Sequence, residues 1–585
     1  MKTIRQSMLD LEVMGSMRAV MTAGEACDRE NIAAYNCSYL AVNNKRAFSE
    51  ALYILMCGTG VGFSCERQEV NLLPTIPKQF NKTEDIIVIA DSKRGWAIAF
   101  KKLLSSLWEG EIPNLDYSKI RPAGARLKTF GGRASGHTPL KQLFDFTIRT
   151  FEQAKGRKLQ SIEVHDLMCM VGEIVVVGGV RRSALISLSN LTDTRMREAK
   201  TGAWWENNKQ RALANNSVCY TEKPDVETFL DEWTSLVKSK SGERGIFNRV
   251  AAQNQASKWG RRSNDASYGC NPCSEILLRD KQFCNLTEVV VRADDTYITL
   301  KRKVQLATIL GTIQSTLTNF GFLSEEWVKN TEEERLLGVS LTGIMDNKLT
   351  NGSDIYSDEP FGLGTLASML ESLRDHTRET NEKWADMLGI PSSTAITCVK
   401  PSGTVSQLVN SASGIHARHN PYYIRRIRMD KKDPMYQFLK DKGLDVEDDV
   451  RVPDTTAVFS FPMKAPEGAI CRTDRTALEQ LELWLIYQRH WCEHKPSITV
   501  SVKDEEWPEV GAWVWKHFDE VSGISFLPFS DHTYQQAPYE DITEEQYHQM
   551  MSRDVSEINW LELIEEDDNT EGAQTLACTS GNCEI

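Results

Sequence analysis

Segments with helical periodicity alternate with short apolar segments along most of this 585-residue chain. Apolar side chains recur at helical spacing in residues 138–154 and 161–174, and the apolar run 184–188 follows them. The same succession is found at 476–494 and 498–502. Alternation of helices with short buried strands is typical of α/β proteins, so we predict that fold class. Further helices are predicted at 1–30, 46–57, 93–108, 226–238, 300–320 and 360–388, and a further strand at 175–177.

The composition is that of a soluble globular protein, with 41% hydrophobic and 25% charged residues. The net charge of −13 argues against nonspecific binding to nucleic acid, although a local basic pocket for a nucleotide is compatible with it. The first residues lack the basic-then-apolar pattern of a signal peptide, and no apolar run reaches the length of a membrane span. We therefore expect a cytoplasmic protein that binds neither nucleic acid nor membrane.

A cluster of reactive side chains lies between residues 270 and 284. Asn271, Cys273 and Glu275 supply an amide, a thiol and a carboxylate in one short segment, and Cys284 follows. Cys270 and Cys273 also form a C-x-x-C, which is typical of zinc half-sites and of thioredoxin-like redox pairs. A zinc site needs a second C-x-x-C or paired histidines, which the chain does not offer nearby, and the proline between the cysteines fits a redox pair poorly. From residue types alone, a structural and a functional role both remain open.

The sequence Asn-Pro-Cys-x-Glu at 271–275 resembles the thiyl-radical loop of the ribonucleotide reductases. Other segments resemble cobalamin-type (class II) members of that family, occur in the family's order and cover nearly the whole chain. They are RAVMTAG (18–24), NCS (36–38), GTGVGFS (58–64), GGVRRSA (178–184), KPSGTVS (400–406), GIH (414–416), YIRRIR (423–428) and QQAP (535–538). The chain is also similar to compact catalytic large subunits of bacteriophages. The resemblance implies a ten-stranded α/β barrel of two antiparallel five-stranded halves, with the cysteine-bearing loop inserted through its centre.

The resemblance also implies a role for each residue of the central site. Cys273 would carry the transient thiyl radical that removes the 3′ hydrogen of the ribose, Glu275 would act as general base on the 3′ hydroxyl, and Asn271 would orient the substrate. Cys37 and Cys284 would reduce the sugar and close a disulfide, which requires their Cα atoms to lie within about 7 Å. The implied activity is reduction of ribonucleoside di- or triphosphates to 2′-deoxyribonucleotides for DNA synthesis.

Two further segments match parts of the family that bind substrate and restore the enzyme. Ser402, Gly403 and Thr404 match the segment that holds the substrate phosphates, although Ser-Gly-Thr is also ordinary turn and capping sequence. Cys578 and Cys583 match a C-terminal pair that reopens the disulfide of the active site by thiol exchange and is itself reduced by thioredoxin or glutaredoxin. Metal binding by this C-x-x-x-x-C is the alternative.

Specificity control is implied by two loops. Arg181 and Arg182 resemble part of the loop through which a bound dNTP or ATP effector selects the base, and His137 lies in a segment that matches a neighbouring effector loop. Either arginine could equally be a surface charge. The chain before Cys37 is too short for the ATP-binding cone that sets overall activity in many reductases. We divide the chain into a short N-terminal helical segment, the catalytic barrel and a flexible acidic tail, at 1–35, 36–553 and 554–585.

The assembly is predicted from one connection. The stretch from Cys65 to Gly95 looks too short for the insertion that mimics a second subunit in monomeric class II enzymes. We therefore expect a homodimer, and the host cytoplasm as its compartment if the chain is of bacteriophage origin.

The radical has two candidate sources. The stretch 524–528 lacks the adjacent tyrosines that relay a radical from a ferritin-like small subunit, which favours adenosylcobalamin. The compactness of the chain favours the ferritin-like, metal-containing partner, which we place first. Tyr422, Tyr423 and Tyr534 would then relay the radical, the alternative being that each simply packs. In either case we expect no metal in this chain.

Overall fold

The computed structural model of the protein describes residues 2–123, 134–175, 184–353, 365–450, 452–530, 535–551 and 558–564, and the backbone of 578–579 and 582–583. The α-helices of these residues are α1 (Lys2–Leu9), α2 (Met17–Thr22), α3 (Glu25–Arg29), α4 (Ala47–Met56), α5 (Arg67–Val70), α6 (Lys93–Glu109), α7 (Thr138–Gln153), α8 (Ser161–Val175), α9 (Thr194–Arg197), α10 (Trp204–Asn207), α11 (Val226–Ser239), α12 (Arg249–Ser257), α13 (Tyr297–Gln314), α14 (Glu325–Glu334), α15 (Leu366–Leu388), α16 (Thr404–Leu408), α17 (Pro434–Asp441), α18 (Ala477–His490), α19 (Trp507–Lys516) and α20 (Glu544–Met551). Short 3₁₀ helices lie at Asn31–Ala34, Lys209–Leu213, Ile344–Asp346 and Trp560–Glu562.

The strands of the same residues are β1 (Val13–Gly15), β2 (Cys37–Ala41), β3 (Gly60–Ser64), β4 (Asn81–Val88), β5 (Glu111–Asp116), β6 (Leu185–Asn190), β7 (Ala214–Tyr220), β8 (Gly245–Asn248), β9 (Gly269–Cys270), β10 (Leu277–Leu278), β11 (Gln282–Val290), β12 (Leu337–Thr342), β13 (Thr397–Cys398), β14 (Tyr422–Asp430), β15 (Val446–Asp448), β16 (Thr456–Lys464), β17 (Thr499–Val502), β18 (Gly523–Pro528), β19 (Tyr539–Asp541), β20 (Cys578–Thr579) and β21 (Asn582–Cys583).

The centre of the fold is a sheet of ten strands that closes on itself. Strands β2, β3, β6, β7 and β8 pair in parallel in that order and form what we call the first half. The second half contains β11, β12 and β13, which pair in parallel, and the parallel pair β17 and β18. The halves meet in antiparallel pairs, β2 with β11 and β8 with β18. A parallel bridge between Val399 and Pro496 joins the chain after β13 to the chain before β17 and completes the ring.

Outer helices connect the parallel neighbours, as parallel pairing requires a crossover. Helix α11 links β7 to β8, α13 and α14 link β11 to β12, and α19 links β17 to β18. Side-chain caps set several helix ends. Thr296 and Thr299 form a capping box at the start of α13, Thr476 and Glu479 form one at the start of α18, and Gly110 ends α6 in the left-handed conformation.

The interior of the barrel holds residues 269–278, which we call the finger loop. Its ends pair as β9 and β10, with Cys270 opposite Leu277. The loop packs with strand residues of both halves, so burial of apolar surface holds it inside the ring. This buried cluster includes Cys37, Tyr39, Ile186, Leu188, Cys219, Phe247, Cys270, Ile276, Leu277, Leu286 and Cys398.

Smaller units surround the barrel. Strands β4 and β5 pair in parallel on either side of α6, which packs on α7 with the rings of Phe100 and Phe144 stacked 5.7 Å apart. Strands β15, β16, β14 and β19 form an antiparallel sheet of their own. The backbones of β20 and β21 pair with Cys578 opposite Cys583.

The structure confirms the predicted α/β class and corrects two local predictions. Residues 1–30 are not continuously helical, because β1 pairs antiparallel with β11, Val13 opposite Val289. Residues 13–15 are buried at the edge of β11, whose backbone groups need hydrogen-bond partners. A strand supplies these partners, whereas a helix satisfies only its own backbone groups. Val175 ends α8 and is not the start of a strand, while 176–177 lie outside the described residues. None of the described helices is long and apolar enough to span a membrane.

Candidate active site

The finger loop meets strand β3 at a glycine. A Cβ on Gly62 would lie 1.7 Å from the carbonyl oxygen of Cys270, so a larger residue there would displace the loop. Inside the loop, the N–H of Ser274 donates to the carbonyl of Asn271 at 2.8 Å, and Ser274 has a φ of 65°. A left-handed conformation is unfavourable for serine and persists where surrounding contacts hold it. The resulting tight turn brings Asn271 and Glu275 side by side.

Asn271, Glu275 and Cys37 form one hydrogen-bonded group. The Nδ2 of Asn271 donates to Glu275 Oε2 at 2.8 Å and to Cys37 Sγ at 3.2 Å. The Cys37 thiol lies 3.9 Å from Glu275 Oε1. The Oδ1 of Asn271 accepts from the N–H of Ile276 at 3.0 Å, which fixes the orientation of the amide. All three side chains are buried, so the fold itself positions the amide, the carboxyl and the thiol.

Cys37 and Cys284 lie directly opposite each other where β2 pairs with β11. Opposed residues of antiparallel strands have Cα atoms about 4.5–5.5 Å apart, which lies within the range of about 4.4–6.8 Å found in disulfides. Both thiols are free and buried. The structure therefore brings together the two cysteines that the family resemblance paired, although they are remote in the chain.

Burial raises the pKa of these two thiols well above the usual value, and the neighbouring carboxylate of Glu275 raises it further. Both are therefore protonated at neutral pH and able to donate hydrogen. Burial also raises the pKa of Glu275, while the hydrogen bond from Asn271 and the charges of Lys400 and Lys495 oppose that rise. The site holds a buried carboxyl group whose ionisation is sensitive to its surroundings.

Cys273 differs from the other cysteines of the site because it is partly exposed. Its carbonyl oxygen accepts a hydrogen bond from the hydroxyl of Ser497 at 2.6 Å, which ties the tip of the finger loop to the second half of the barrel. Cys273 is thus partly accessible, whereas Cys37, Cys284 and Cys270 are enclosed.

A buried ion pair lies beside the finger loop. The Nζ of Lys400 donates to Glu288 Oε1 at 2.9 Å. Although burial lowers the pKa of Lys400, the carboxylate of Glu288 raises it above its usual value, and Glu275 and Cys273 add to the rise. The charges of Glu275 and Cys273 act on this ammonium, which shows that the segment after β13 adjoins the finger loop.

The predicted phosphate segment follows this lysine. Ser402 is buried, donates its hydroxyl to the second oxygen of Glu288 and accepts from the N–H of Ser406 at 3.1 Å. Its hydroxyl is therefore already engaged. Gly403 and Thr404 face outward, and a Cβ on Gly403 would meet nothing within 4 Å. The open space at this segment lies over these two residues, and their role in binding phosphate stays a prediction.

Lys495 lies on the enclosed side of the finger loop. Its N–H donates to the carbonyl of Glu275 at 3.2 Å, and its Nζ donates to the carbonyl of Gly523 at 3.1 Å. Burial lowers its pKa to about 8, although Cys270 and Glu275 oppose this change. Sequence reasoning missed Lys495, as it missed Lys400. Lys400 stands in the KPSGTVS segment, which could have marked it. Lys495 has no local sequence signal.

The other predicted residues lie away from the finger loop. His137 is exposed at the start of α7, with its ring 5.6 Å from that of Tyr117. Tyr422 and Tyr423 lie on β14 of the small antiparallel sheet, where the hydroxyl of Tyr422 donates to Glu544 at 2.6 Å and Tyr423 is buried. Both tyrosines have local packing partners, and a relay role stays a prediction. Arg181, Arg182 and Tyr534 lie outside the described residues.

Several known proteins are similar to this chain. The family model of the B12-dependent ribonucleotide reductase insertion domain matches residues 75–148. The adenosylcobalamin-dependent ribonucleoside-triphosphate reductase of Euglena gracilis is 28% identical over 574 residues, covering 95% of this chain and 75% of that protein. The Lactobacillus acidophilus protein of the same name is 26% identical, covering 91% of this chain and 79% of that protein.

Two solved structures share the fold. A B12-dependent (class II) ribonucleotide reductase superposes with a TM-score of 0.80 at 22% identity, covering 94% of this chain and 86% of that chain. The class Id ribonucleotide reductase alpha subunit of Actinobacillus ureae superposes with a TM-score of 0.52 at 12% identity, covering 90% and 89%.

The match at residues 75–148 shows that our expectation of a missing insertion is wrong. Helix α6, which we took as the end of a short connection, lies inside the matched range together with β4 and β5. The described residues of the matched range thus include a strand–helix–strand unit and the first part of α7. The homodimer prediction rested on the absence of this insertion and is therefore no longer supported.

The relatives also bear on the radical source. The named enzymes are adenosylcobalamin-dependent, which supports the cobalamin alternative over the ferritin-like small subunit that we placed first. On β18, where relay tyrosines were sought, Phe526 packs with its ring 5.1 Å from that of Trp233. With these motifs, this barrel and this cysteine-bearing finger loop, the chain is similar in sequence to class II ribonucleotide reductases and shares their fold.

Proposed function

We propose that this protein reduces ribonucleoside triphosphates to 2′-deoxyribonucleotides, with adenosylcobalamin as the source of its radical. The observation that carries the proposal is the buried group of Cys37, Cys284, Asn271 and Glu275 around the partly exposed Cys273. The triphosphate and the cofactor are those in the names of the relatives.

In the proposed reaction, a radical on the sulfur of Cys273 takes the hydrogen atom of C3′, so that an S–H bond forms as the C–H bond breaks. Glu275 accepts the proton of the 3′ hydroxyl while Asn271 holds the carboxylate and the ribose in register. One of the two buried thiols protonates the 2′ hydroxyl, which leaves as water, and the other supplies the hydrogen of the new C2′–H bond. Glu275 returns its proton to the 3′ oxygen. Oxidation of Cys37 and Cys284 to a disulfide supplies two electrons, and the hydrogen returned to C3′ restores the radical on Cys273.

The exposure of Cys273 fits a radical donor bound against the barrel. The residue is partly exposed, so that a donor could reach it without a relay through the protein, and Cys273 and Ser497 would border the bound group. When bound, adenosylcobalamin supplies a carbon radical that removes the hydrogen of a thiol. The apolar Phe526 and Leu527 on β18 agree with a reaction that needs no tyrosine relay.

The remaining roles are proposed on the family resemblance. Gly403 and Thr404 would contact the substrate phosphates through their backbone N–H groups. Cys578 and Cys583, whose backbones face each other in a hairpin, would reopen the disulfide and accept electrons from thioredoxin or glutaredoxin. A dNTP or ATP effector would set the choice of base.

The test is deoxynucleotide formation by the purified chain with dithiothreitol and an effector, with and without adenosylcobalamin. We expect product only with the cofactor, and none from Cys273→Ser. Cys27→Ser, which changes a buried cysteine on α3 far from the finger loop in sequence, is the matched control and should remain active. Activity that needs a metal-bearing partner instead of the cofactor would refute the proposed radical source. Product formation by Cys273→Ser would refute the proposed chemistry.

A further inference from the structure

Arg18, on α2, lies with its guanidinium spread over Gly58. A Cβ on Gly58 would lie 2.8 Å from Nη1 and 3.0 Å from Cζ of Arg18, so only a glycine leaves the space that this group fills. Gly58 also has a φ of +90°, which an L-residue rarely adopts. The turn after α4 is therefore shaped to receive the arginine.

The guanidinium of Arg18 has no partner within the part of the chain that the structure describes. Its main-chain carbonyl accepts from Thr22, but its side chain makes no hydrogen bond and no ion pair there. Burial lowers its pKa, and no carboxylate opposes that change. A half-buried cation without an anion is unfavourable, because part of its hydration is lost with nothing in exchange. Such a group is ready to bind an anion.

Helix α2 stands at the rim of the barrel beside the reducing thiols. Gly15, just before it, pairs with Thr287 on β11. The N–H of Ser16 donates to the carbonyl of Leu286 at 3.1 Å, two residues after Cys284. The start of the helix is therefore fixed to the strand that carries one of the two thiols.

The other side of Arg18 adjoins the strand of the second thiol. Gly58, which the guanidinium covers, stands two residues before Gly60, and Gly60 pairs with Cys37. Arg18 thus stands over the junction between β2 and β11, where a ribose would have to lie to meet both sulfurs.

The same helix contacts the segment that we propose for the phosphates. Met17 packs against a cluster that includes Val405 of α16 and Val409 just after it, so Arg18 and residues 402–404 share one rim of the barrel. Lys400, the neighbouring cation, is already matched by Glu288 at 2.9 Å. A polyphosphate entering here beside Glu275 and Glu288 brings several negative charges, and Arg18 offers the unmatched positive charge.

We propose that Arg18 binds a phosphate group of the nucleotide substrate, a role that rests on the proposed reduction of ribonucleotides. The planar guanidinium offers a fork of N–H donors to two phosphate oxygens, which a lysine ammonium does not reproduce. Gly58 leaves room for this fork, because the guanidinium occupies the space that a side chain at this position would take.

The test is binding of labelled CTP, CDP and cytidine by equilibrium dialysis, with a saturating deoxynucleotide effector in every sample. Arg18→Gln should weaken CTP binding by about 10- to 100-fold, the range expected for loss of a hydrogen bond to a charged group. Cytidine binding should be unchanged, and Arg18→Lys should recover part of the CTP affinity. Arg29→Gln, which removes an exposed arginine from the neighbouring α3, is the matched control and should bind as the wild type does.

CTP binding by Arg18→Gln at wild-type strength, or an equal loss for CTP and cytidine, would overturn the proposal. If Arg18→Gln does not fold, Arg18→Lys and Gly58→Ala decide: each should weaken CTP more than cytidine, and equal affinities would overturn it. Steady-state kinetics should show a raised KM with a smaller change in kcat. If Arg18→Gln binds CTP more weakly but the wild type forms no deoxynucleotide, the proposed reductase activity is refuted. The phosphate site at Arg18 is then still supported.

Discussion

Replacing Gly62 by alanine tests how firmly the barrel holds the finger loop. The added Cβ would start 1.7 Å from the carbonyl oxygen of Cys270 and 3.2 Å from a methyl carbon of Ile186. Real Cβ atoms do not come closer than 3.0 Å to such an atom, so β3 and the loop must separate by about 1.3 Å. Neither side yields easily, because β3 is paired on both edges and Cys270 is paired with Leu277.

The displacement would extend to Cys273, the proposed radical cysteine, three residues along the same loop. A misplacement of about 1 Å costs about 100-fold in rate, while overpacking of this kind costs about 1–3 kcal/mol of stability. We therefore expect Gly62→Ala to fold and to lose about 100-fold or more in kcat. The assay is deoxynucleotide formation, with thermal unfolding followed by circular dichroism. Gly321→Ala, whose Cβ would meet nothing within 4 Å, is the control. A folded Gly62→Ala with wild-type kcat would refute the inferred contact.

Three further predictions follow from the site. Mild oxidation should link the peptides of Cys37 and Cys284 in mass spectra, and a different partner for either would contradict the cross-strand pairing. Because the pKa of Glu275 lies above the usual 4.5, the fall of kcat/KM on the acidic side of its pH profile should have its midpoint above pH 4.5. A midpoint at or below pH 4.5 would exclude Glu275 as the base. Lys495→Met should be more stable than the wild type at pH 7, since the pKa of the buried lysine falls from 10.5 to about 8 and its charged form is disfavoured in the fold. This difference in unfolding free energy should be complete below pH 8 and should fade between pH 8 and 10.5, by about 3 kcal/mol in urea unfolding. A difference independent of pH would show that the fold does not lower the pKa of this lysine.

The residues of the finger loop could be singled out from the sequence because they stand close together in the chain and match a family motif, whereas residue types alone left their role open. Asn271, Cys273 and Glu275 are close in the chain, and the tight turn at Ser274 brings Asn271 and Glu275 within hydrogen-bond distance. The pairing of Cys37 with Cys284 came from resemblance. The register that places them opposite each other depends on packing across the whole barrel, which no local pattern encodes.

What the sequence did not show depends on long-range contacts. The ion pair of Lys400 with Glu288 joins residues that are far apart in the chain, and so does the contact of Arg18 with Gly58. The helix at 93–108 was correctly predicted, yet its place in the insertion was not. Helical periodicity reports which side of a segment is apolar, and it carries no information about which strands lie next to that side.

The antiparallel junction of β2 with β11 has a consequence for the mechanics of the barrel. This junction is short, with three residue pairs from Gln282–Tyr39 to Cys284–Cys37, and the two thiols stand at its end. A disulfide there is a covalent staple between the first and second halves, while the opposite junction of β8 with β18 has none. In the proposed reaction each turnover would fasten one side of the ring and each reduction would release it. The oxidised and reduced enzymes would therefore differ in the freedom of the two halves to move apart, and not only in the state of two sulfur atoms.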